Sequence, residues 1–368
     1  MNRISFFVFF AVVTAVFILL NFYVYHRTKT DLKLSVRQSQ AAKILFSALG
    51  TSFFIGVFLF RRSPFNLILA AGSVWLGILS LSVSVFAAKD LLSLLFTRHG
   101  ALFSKTAFFL LPAIILYSIY NGLRAPAVHE IEIFSEKVPD GLDGFSIVQL
   151  SDLHLGYLKS SRWFEKVVEN TVSLKPDLIL ITGDLIDRDI CGIDQICGVL
   201  RELKAPDGVF AVTGNHEFYS GASLFETIAD RAGFTVLRNN KYDLHPSLEL
   251  IGVDDKTGKS FGETGTDLEK ALKGSDSGKF RILLSHQPGL FTEAARKGID
   301  LQLSGHTHAG QIPPLDLIVF LAFKYPCGLY KKGPSTLYTT TGTGTWGPPM
   351  RLFSRSEIVK ITLRTNAS

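Results

Sequence analysis

Two patterns of apolar and polar positions divide the chain. In the first third, charge vanishes for long stretches: Ile4–Tyr25 runs 22 residues without a charge, Ser63–Ala88 runs 26, and Ile44–Phe60 and Thr106–Gly122 run 17 each. A helix crossing a hydrocarbon core about 30 Å thick needs roughly 20 apolar residues, so the two short runs lie at the lower limit. Lys43 and Lys105 stand just before them, where their stems can snorkel to the interface. The pattern predicts a transmembrane region over residues 1–124 with four helices, at about 4–25, 44–60, 63–88 and 106–122. A cleaved signal peptide followed by buried core helices fits less well, because the first run is too long and no amphipathic face follows.

After Arg124 the texture becomes that of alternating strands and helices. Phe145–Leu150, Asp177–Thr182, Gly208–Thr213, Arg281–Ser285 and Asp300–Ser304 read as buried strands, with Glu249–Val253, Thr336–Thr340 and Glu357–Leu363 as further candidates. Helical spacing recurs over Arg162–Leu174, Ile190–Leu203 and Leu224–Ala232. The expectation is an α/β domain over residues 145–368, a two-sheet sandwich flanked by helices, with 125–144 as a linker and first strand region.

Composition agrees with the division. The chain is 47% hydrophobic with a mean hydropathy of +0.27, high for a wholly soluble enzyme. Residues 1–124 hold 12 Lys/Arg against 2 Asp/Glu, and the remainder 26 against 30, so a net +10 precedes a net −4. A nucleic-acid-binding domain would want the opposite sign, and that partner is disfavoured. Arg27, Lys29, Lys33, Arg37, Lys43, Lys89, Arg98 and Lys105 fall in the first and third loops; Arg3, Arg61, Arg62 and Arg124 fall on the other side. The positive-inside tendency therefore predicts a multi-pass protein whose C-terminal domain is extracytoplasmic. Three cysteines, Cys191, Cys197 and Cys327, are too few for a disulfide framework, although Cys191 and Cys197 could pair in an oxidising compartment.

Five of these strands each run into polar residues. Phe145–Leu150 leads to Asp152 and His154, Asp177–Thr182 to Asp184, Asp187 and Arg188, and Gly208–Thr213 to Asn215, His216 and Glu217. Arg281–Ser285 leads to His286, and Asp300–Ser304 to His306 and His308. Five of the nine histidines thus lie at strand ends, where open α/β sheets bind ligands. Carboxylate, amide and imidazole without thiolate suit Mn, Fe or Zn. Seven candidate ligands suit two ions better than one. Such a pair, about 3.5–4 Å apart, can activate a water as hydroxide and clamp a phosphoryl oxygen.

The blocks D-x-H (Asp152–His154), G-D-x-x-D (Gly183–Asp187), G-N-H-E (Gly214–Glu217), a separate His286, and G-H-x-H (Gly305–His308) stand in this order. Together they resemble the calcineurin-like metallophosphoesterase family, over essentially all of residues 145–363. With Gly342–Arg351 (GTGTWGPPMR), the chain is similar to the membrane-associated YaeI/YkuE-type branch, which includes UDP-2,3-diacylglucosamine pyrophosphatase-like enzymes. The resemblance implies an α/β/β/α sandwich and two divalent or mixed-valence metal ions. By motif, Asp152, His154 and His308 would hold one ion, and Asn215, His286 and His306 the other, with Asp184 bridging. His216 would face substrate, stabilising phosphoryl oxygens or protonating the leaving group. Two departures from the branch are Ala309, where glycine is usual, and Arg355–Ile358, which reads R-S-E-I instead of R-P-E-I.

Around these, Asp187 reads as a supporting or helix-capping carboxylate, Arg188 as a phosphate contact or the partner of a neighbouring acid, and Glu217 as a residue that orients a ligand. Ile312–Tyr330 is unusually apolar for a loop beside an active site. It reads either as a surface lying against the bilayer and guiding a lipid-linked substrate, or as a buried helix. Three functions stay open: a membrane-anchored dimetal phosphoesterase acting on a phosphorylated lipid, a phosphatase acting on soluble nucleotides or phosphomonoesters, and a catalytically silent binding module. The complete ligand set argues against the third.

Overall fold

The structure, a computed structural model, describes residues 3–59, 66–156, 158–188, 190 and 192–365. It divides into two compact units. One comprises Met1–Leu123 with Gln311–Leu317 and Gly347–Phe353, and the other Arg124–Gly310, Ile318–Trp346 and Ser354–Ser368.

Four helices build the first unit: α1 (Arg3–Asp31), α2 (Val36–Leu59), α3 (Asn66–Leu95) and α4 (Gly100–Leu123). Large apolar side chains such as Leu19, Phe22, Leu67, Phe109 and Leu116 stay exposed on them, as lipid-facing surfaces require. Among the described residues, three spans are long and apolar enough to cross a membrane: Ala11–Asp31, Leu67–Leu95 and Thr97–Leu123. The expected count of four spans is not confirmed among the described residues, where three candidates stand. α2 is a helix of 24 residues, and its apolar run reaches the edge of the described residues. Residue 60 and residues 63–65, where two expected spans end and begin, lie outside the described residues, as does Cys191.

Small residues let these helices pack backbone to backbone. A Cβ on Gly56 would fall 2.5 Å from Leu69 Cα. Phe17, Trp75, Phe86 and Leu111 form an apolar core that also takes in Ile312 and Met350 from the two C-terminal segments. Lys89 bonds to Asp31 and Asp90 at 2.5 and 2.7 Å, and Arg27 to Asp90 at 2.7 Å, so these four charges of α1 and α3 are paired.

The second unit holds two six-stranded mixed sheets. The first contains β1 (Ala127–Ser135), β2 (Ser146–Leu150), β3 (Leu178–Ile181), β4 (Val209–Ala211), β5 (Thr235–Val236) and β12 (Glu357–Thr365) in the order β1-β12-β2-β3-β4-β5. The second contains β6 (Asn240–His245), β7 (Leu248–Gly252), β8 (Phe280–Leu284), β9 (Leu301–Ser304), β10 (Gly328–Lys332) and β11 (Ser335–Thr339) in the order β10-β11-β9-β8-β7-β6. The helices are α5 (Ser161–Ser173), α6 (Ile193–Leu200), α7 (Asn215–Ser220), α8 (Ala222–Ala232), α9 (Leu268–Ala271), α10 (Phe291–Arg296) and α11 (Leu315–Ala322), the last running from the first unit into the second.

Strand alternation builds the layers. Ile147, Leu178, Leu180 and Phe210 meet Leu250, Ile282, Leu284 and Leu303 between the sheets. Val148, Leu150, Ile179 and Ile181 face Phe164, Val167, Phe225 and Ile228 of α5 and α8. Ile251 and Leu283 pack on Leu268 and Ala294 of α9 and α10. Burial on both faces explains why these strands read as unbroken apolar runs. Strands β2, β3 and β4 are mutually parallel, as are β7, β8 and β9, so each sheet delivers its carboxyl-terminal loops to one edge.

Candidate metal centre

Asp152 and His154 follow β2, Asp184 and Asp187 follow β3, and Asn215 and His216 open α7 just after β4. His286 follows β8, and His306 and His308 follow β9. The backbone at these exits is unusual. Asp152 (φ 55), His154 (φ 47), Asp184 (φ 52), His306 (φ 73) and His308 (φ 50) are all left-handed, a conformation that L residues rarely adopt outside strained functional sites. Main-chain bonds hold it: Asp152 N–H donates to Gly183 O at 3.0 Å and His154 N–H to Asp184 O at 3.0 Å. Thr343 and Gly344 N–H donate to Ser151 O and Asp152 O at 2.8 and 3.0 Å.

The donor atoms converge in two groups. In one, His154 Nε2 lies 3.1 Å from His308 Nε2, and Asp152 Oδ1 lies 3.4 Å from the same atom. In the other, His286 Nε2 lies 3.2 Å from each of His306 Nδ1, Asn215 Oδ1 and Asp184 Oδ2. Asp184 Oδ2 is also 3.8 Å from His154 Nε2, which places it between the groups. Two donors, each about 2.1 Å from one ion and about 90–110° apart, stand about 3.0–3.4 Å from each other. The spacing, the burial and the oxygen–nitrogen donor set fit two divalent ions sharing Asp184.

Hydrogen bonds on the far side of two rings select the facing atoms. His286 Nδ1–H donates to Thr182 O at 2.9 Å, leaving a lone pair on Nε2. His154 Nδ1 meets Asp187 Oδ1 at 2.8 Å, which likewise frees its Nε2. His286 and His306 cannot both hold a proton between their facing nitrogens. Burial opposes charge on both rings; the charge of Asp184 raises His286 well above its ordinary value, while burial and the charge of His286 lower His306 to about 4. Burial also works against the Asp184 carboxylate, but the surrounding His286, His216 and His154 outweigh it and hold the group well below the usual range.

His216 differs from the other four histidines. Its Nδ1 lies 2.7 Å from Asp187 Oδ1, and its side chain is 15% exposed. Its ring stands perpendicular to His154 at 4.6 Å. Burial disfavours the charged ring, yet the bond to Asp187 and the nearby carboxylates raise it to about 9. His216 groups with His154 and Asp184 as a possible ligand set, but its Nδ1 is committed to Asp187.

All seven sequence-predicted ligands are thus brought together. Asp187 touches both His154 and His216, and Arg188 is exposed. Glu217 acts on the main chain and not on a ligand side chain. Its Oε2 accepts from Asp184 and Gly214 N–H at 2.9 and 2.6 Å, and its Oε1 from Leu185 and Ile186 N–H at 2.8 and 3.2 Å. Burial first, then Asp184, pushes its carboxyl up to about 7 against these donors.

Two neighbours were not singled out by sequence. Tyr219 packs against His216 with ring centroids 5.3 Å apart. Its position four residues after Asn215 on a helix is the available signal. Phe323 packs on His306 at 5.7 Å, and nothing in its sequence setting marks it.

A profile of the Calcineurin-like phosphoesterase family matches residues 145–310. An uncharacterized metallophosphoesterase of Helicobacter pylori is 36% identical over 294 residues, covering 78% of each chain. A transmembrane protein with a metallophosphoesterase domain from Danio rerio is 37% identical over 262 residues, covering 68% of this chain and 60% of the relative. The metallophosphoesterase YkuE of Bacillus subtilis is 33% identical over 268 residues, covering 67% of this chain and 90% of that one.

Proposed function

The chain belongs to the calcineurin-like phosphoesterase family of metal-dependent phosphoester hydrolases, and from that premise we propose that its two donor groups form a dinuclear site. Asp152, His154 and His308 would hold one ion, Asn215, His286 and His306 the other, and Asp184 would lie between them. The observation that carries this reading is the convergence of two donor groups on Asp184, with five of the seven residues in left-handed backbone. Bound Mn, Fe or Zn would supply Lewis acidity to activate a water and neutralise phosphoryl charge.

The chain's own residues do the rest. Asp187 accepts from His154 Nδ1–H, which leaves Nε2 free to serve as a metal donor, and it keeps His216 protonated. His216 Nε2–H donates to a phosphoryl oxygen and gives its proton to the departing oxygen. Metal analysis of the purified protein tests the assignment: two ions per chain are expected, falling to one in either His308→Ala or His286→Ala. Full occupancy in both variants would overturn it.

The apolar segment Ile312–Tyr330 supports a lipid-linked phosphoester or pyrophosphate as substrate. The distribution of Lys and Arg supports a multi-pass protein with its catalytic domain outside the cytoplasm. A cysteine introduced at the exposed Glu169 would then react with a membrane-impermeant maleimide in intact cells. Reaction only after permeabilisation would place the domain inside.

A further inference from the structure

α7 turns two consecutive aromatic residues in different directions. Phe218 is buried, with the Arg238 guanidinium 5.8 Å over its ring, whereas Tyr219 stays 44% exposed. The 3-10 helix Lys256–Phe261 packs against Phe218: a Cβ on Gly258 would fall 2.9 Å from Phe218 Cζ. That helix is itself held to the strand ends. Thr257 N–H donates to Asp255 Oδ1 at 2.8 Å, Asp255 N–H to Thr213 Oγ1 at 3.1 Å, and Gln287 Nε2 to Asp255 Oδ2 at 2.8 Å. Thr213 directly precedes Gly214 and Asn215, and Gln287 follows His286, so the scaffold that carries the candidate ligands carries this helix too.

At the end of the 3-10 helix, Phe261 is 53% exposed and meets Tyr219 with ring centroids 5.8 Å apart and planes at 57°. Tyr219 meets His216 at 5.3 Å and 66°. The three rings form a row leading from His216 out to solvent. Aromatic side chains are costly to leave in water, and two in contact beside a pocket of polar groups mark a recognition surface. Cations and flat rings are the ligands that use aromatic faces. Lys256 and Lys259, both exposed, share the short helix with Phe261, and the nearby Glu263 is engaged by Arg238 at 2.9 Å. That balance of charge disfavours a quaternary ammonium ion and suits a ligand that carries phosphate. A flat ring is the occupant that remains.

We propose that Tyr219 and Phe261 form a platform for a nucleobase carried on the departing group of the phosphoester. This rests on the proposed phosphoesterase reading, in which His216 gives its proton to the departing oxygen, and it concerns the departing group alone. With that oxygen at His216, the atoms attached to it run over Tyr219 toward Phe261. In a nucleoside 5′-phosphate one sugar separates the base from the departing oxygen, as one ring, Tyr219, separates Phe261 from His216. Stacking on an aromatic face accepts any base, so the platform selects for a nucleoside without choosing among nucleosides. Both rings are specificity determinants; neither takes part in bond making.

The test uses the full chain in detergent with Mn restored. AMP and ribose 5-phosphate present the same primary oxygen and differ in the base, and each is assayed as a competitor of bis(p-nitrophenyl) phosphate hydrolysis. AMP is expected to compete about tenfold more tightly. Phe261→Leu, at an exposed position, should bring the two within about twofold of each other, and Phe261→Trp should restore the difference. Equal competition in the parent, or a preference that survives Phe261→Leu, overturns the platform. n-Hexyl phosphate competing as well as AMP would make the surface one for alkyl groups and overturns it too. If bis(p-nitrophenyl) phosphate does not react, the phosphoesterase reading fails, and saturation-transfer NMR with AMP on the metal-stripped chain decides the platform separately. Stronger saturation of the adenine protons than of the ribose protons, lost in Phe261→Leu, sustains it; equal saturation in the parent overturns it.

Discussion

Left-handed backbone at Asp152, His154, Asp184, His306 and His308 costs of order 1 kcal/mol per residue. The same conformation holds Ala309 at φ 49 and ψ 31, the position at which the resembled branch usually has glycine. Ala309 carries that cost without donating a ligand atom. Ala309→Gly should therefore raise unfolding stability by about 1 kcal/mol with unchanged metal content, as measured by denaturant titration; a destabilised variant would contradict this account of the loop. Asp187 is the second residue whose effect can be stated in advance. It is shared between His154 Nδ1 and His216 Nδ1, so Asp187→Asn weakens both ring orientations at once. Metal affinity or turnover should drop about 10- to 100-fold, and a variant with both intact would show the contact to be incidental. The ligand types were legible in sequence because metal chemistry restricts them to a few side chains. The sharing of Asp187, and the turning of Glu217 to four backbone N–H groups, depend on loop conformation that no spacing encodes.

Strand ends act as the positioning elements, and their glycines mark where two loops cross with no room for a side chain. A Cβ on Gly214 would overlap Asp184 Oδ1, and one on Gly305 would overlap Ser151 Oγ and Asp152 Oδ2. Gly305→Ala is expected to fold, because the sheets lie behind it, but to lose the ion held by Asp152. Metal content and hydrolysis should fall together while far-ultraviolet circular dichroism is retained. Full activity would mean that the loop yields freely. The buried strands β2, β3, β4, β8 and β9 were readable as apolar runs bounded by turn residues. β6 (NKYDLH) and β10 (GLYKK) were not, since an edge strand facing water carries polar residues and loses the signal. α6 is shorter than the expected Ile190–Leu203 because Gly192, at φ 68, precedes its first turn. The apolar Ile312–Tyr330 could be recognised as unusual from sequence, but apolarity alone does not separate a buried helix from an exposed one. The exposure of α11 makes that distinction.

At the scale of the whole molecule, apolar spans and a mixed α/β sandwich share one chain, and two short C-terminal segments belong with the helices. Composition told the two regions apart. The substrate is not written in the ligands, which fix the chemistry and leave specificity to the loops. The most direct test of the central claim is hydrolysis of bis(p-nitrophenyl) phosphate and p-nitrophenyl phosphate by the detergent-purified chain. It would be run after metal stripping, after Mn is restored, and in Asp184→Asn and His216→Ala variants. The account predicts no turnover without metal, recovery with Mn, loss in Asp184→Asn, and a fall of about 10²–10⁴ in His216→Ala with metal still bound. Turnover that survives stripping, or that persists undiminished in Asp184→Asn, would contradict a dinuclear centre built on Asp184.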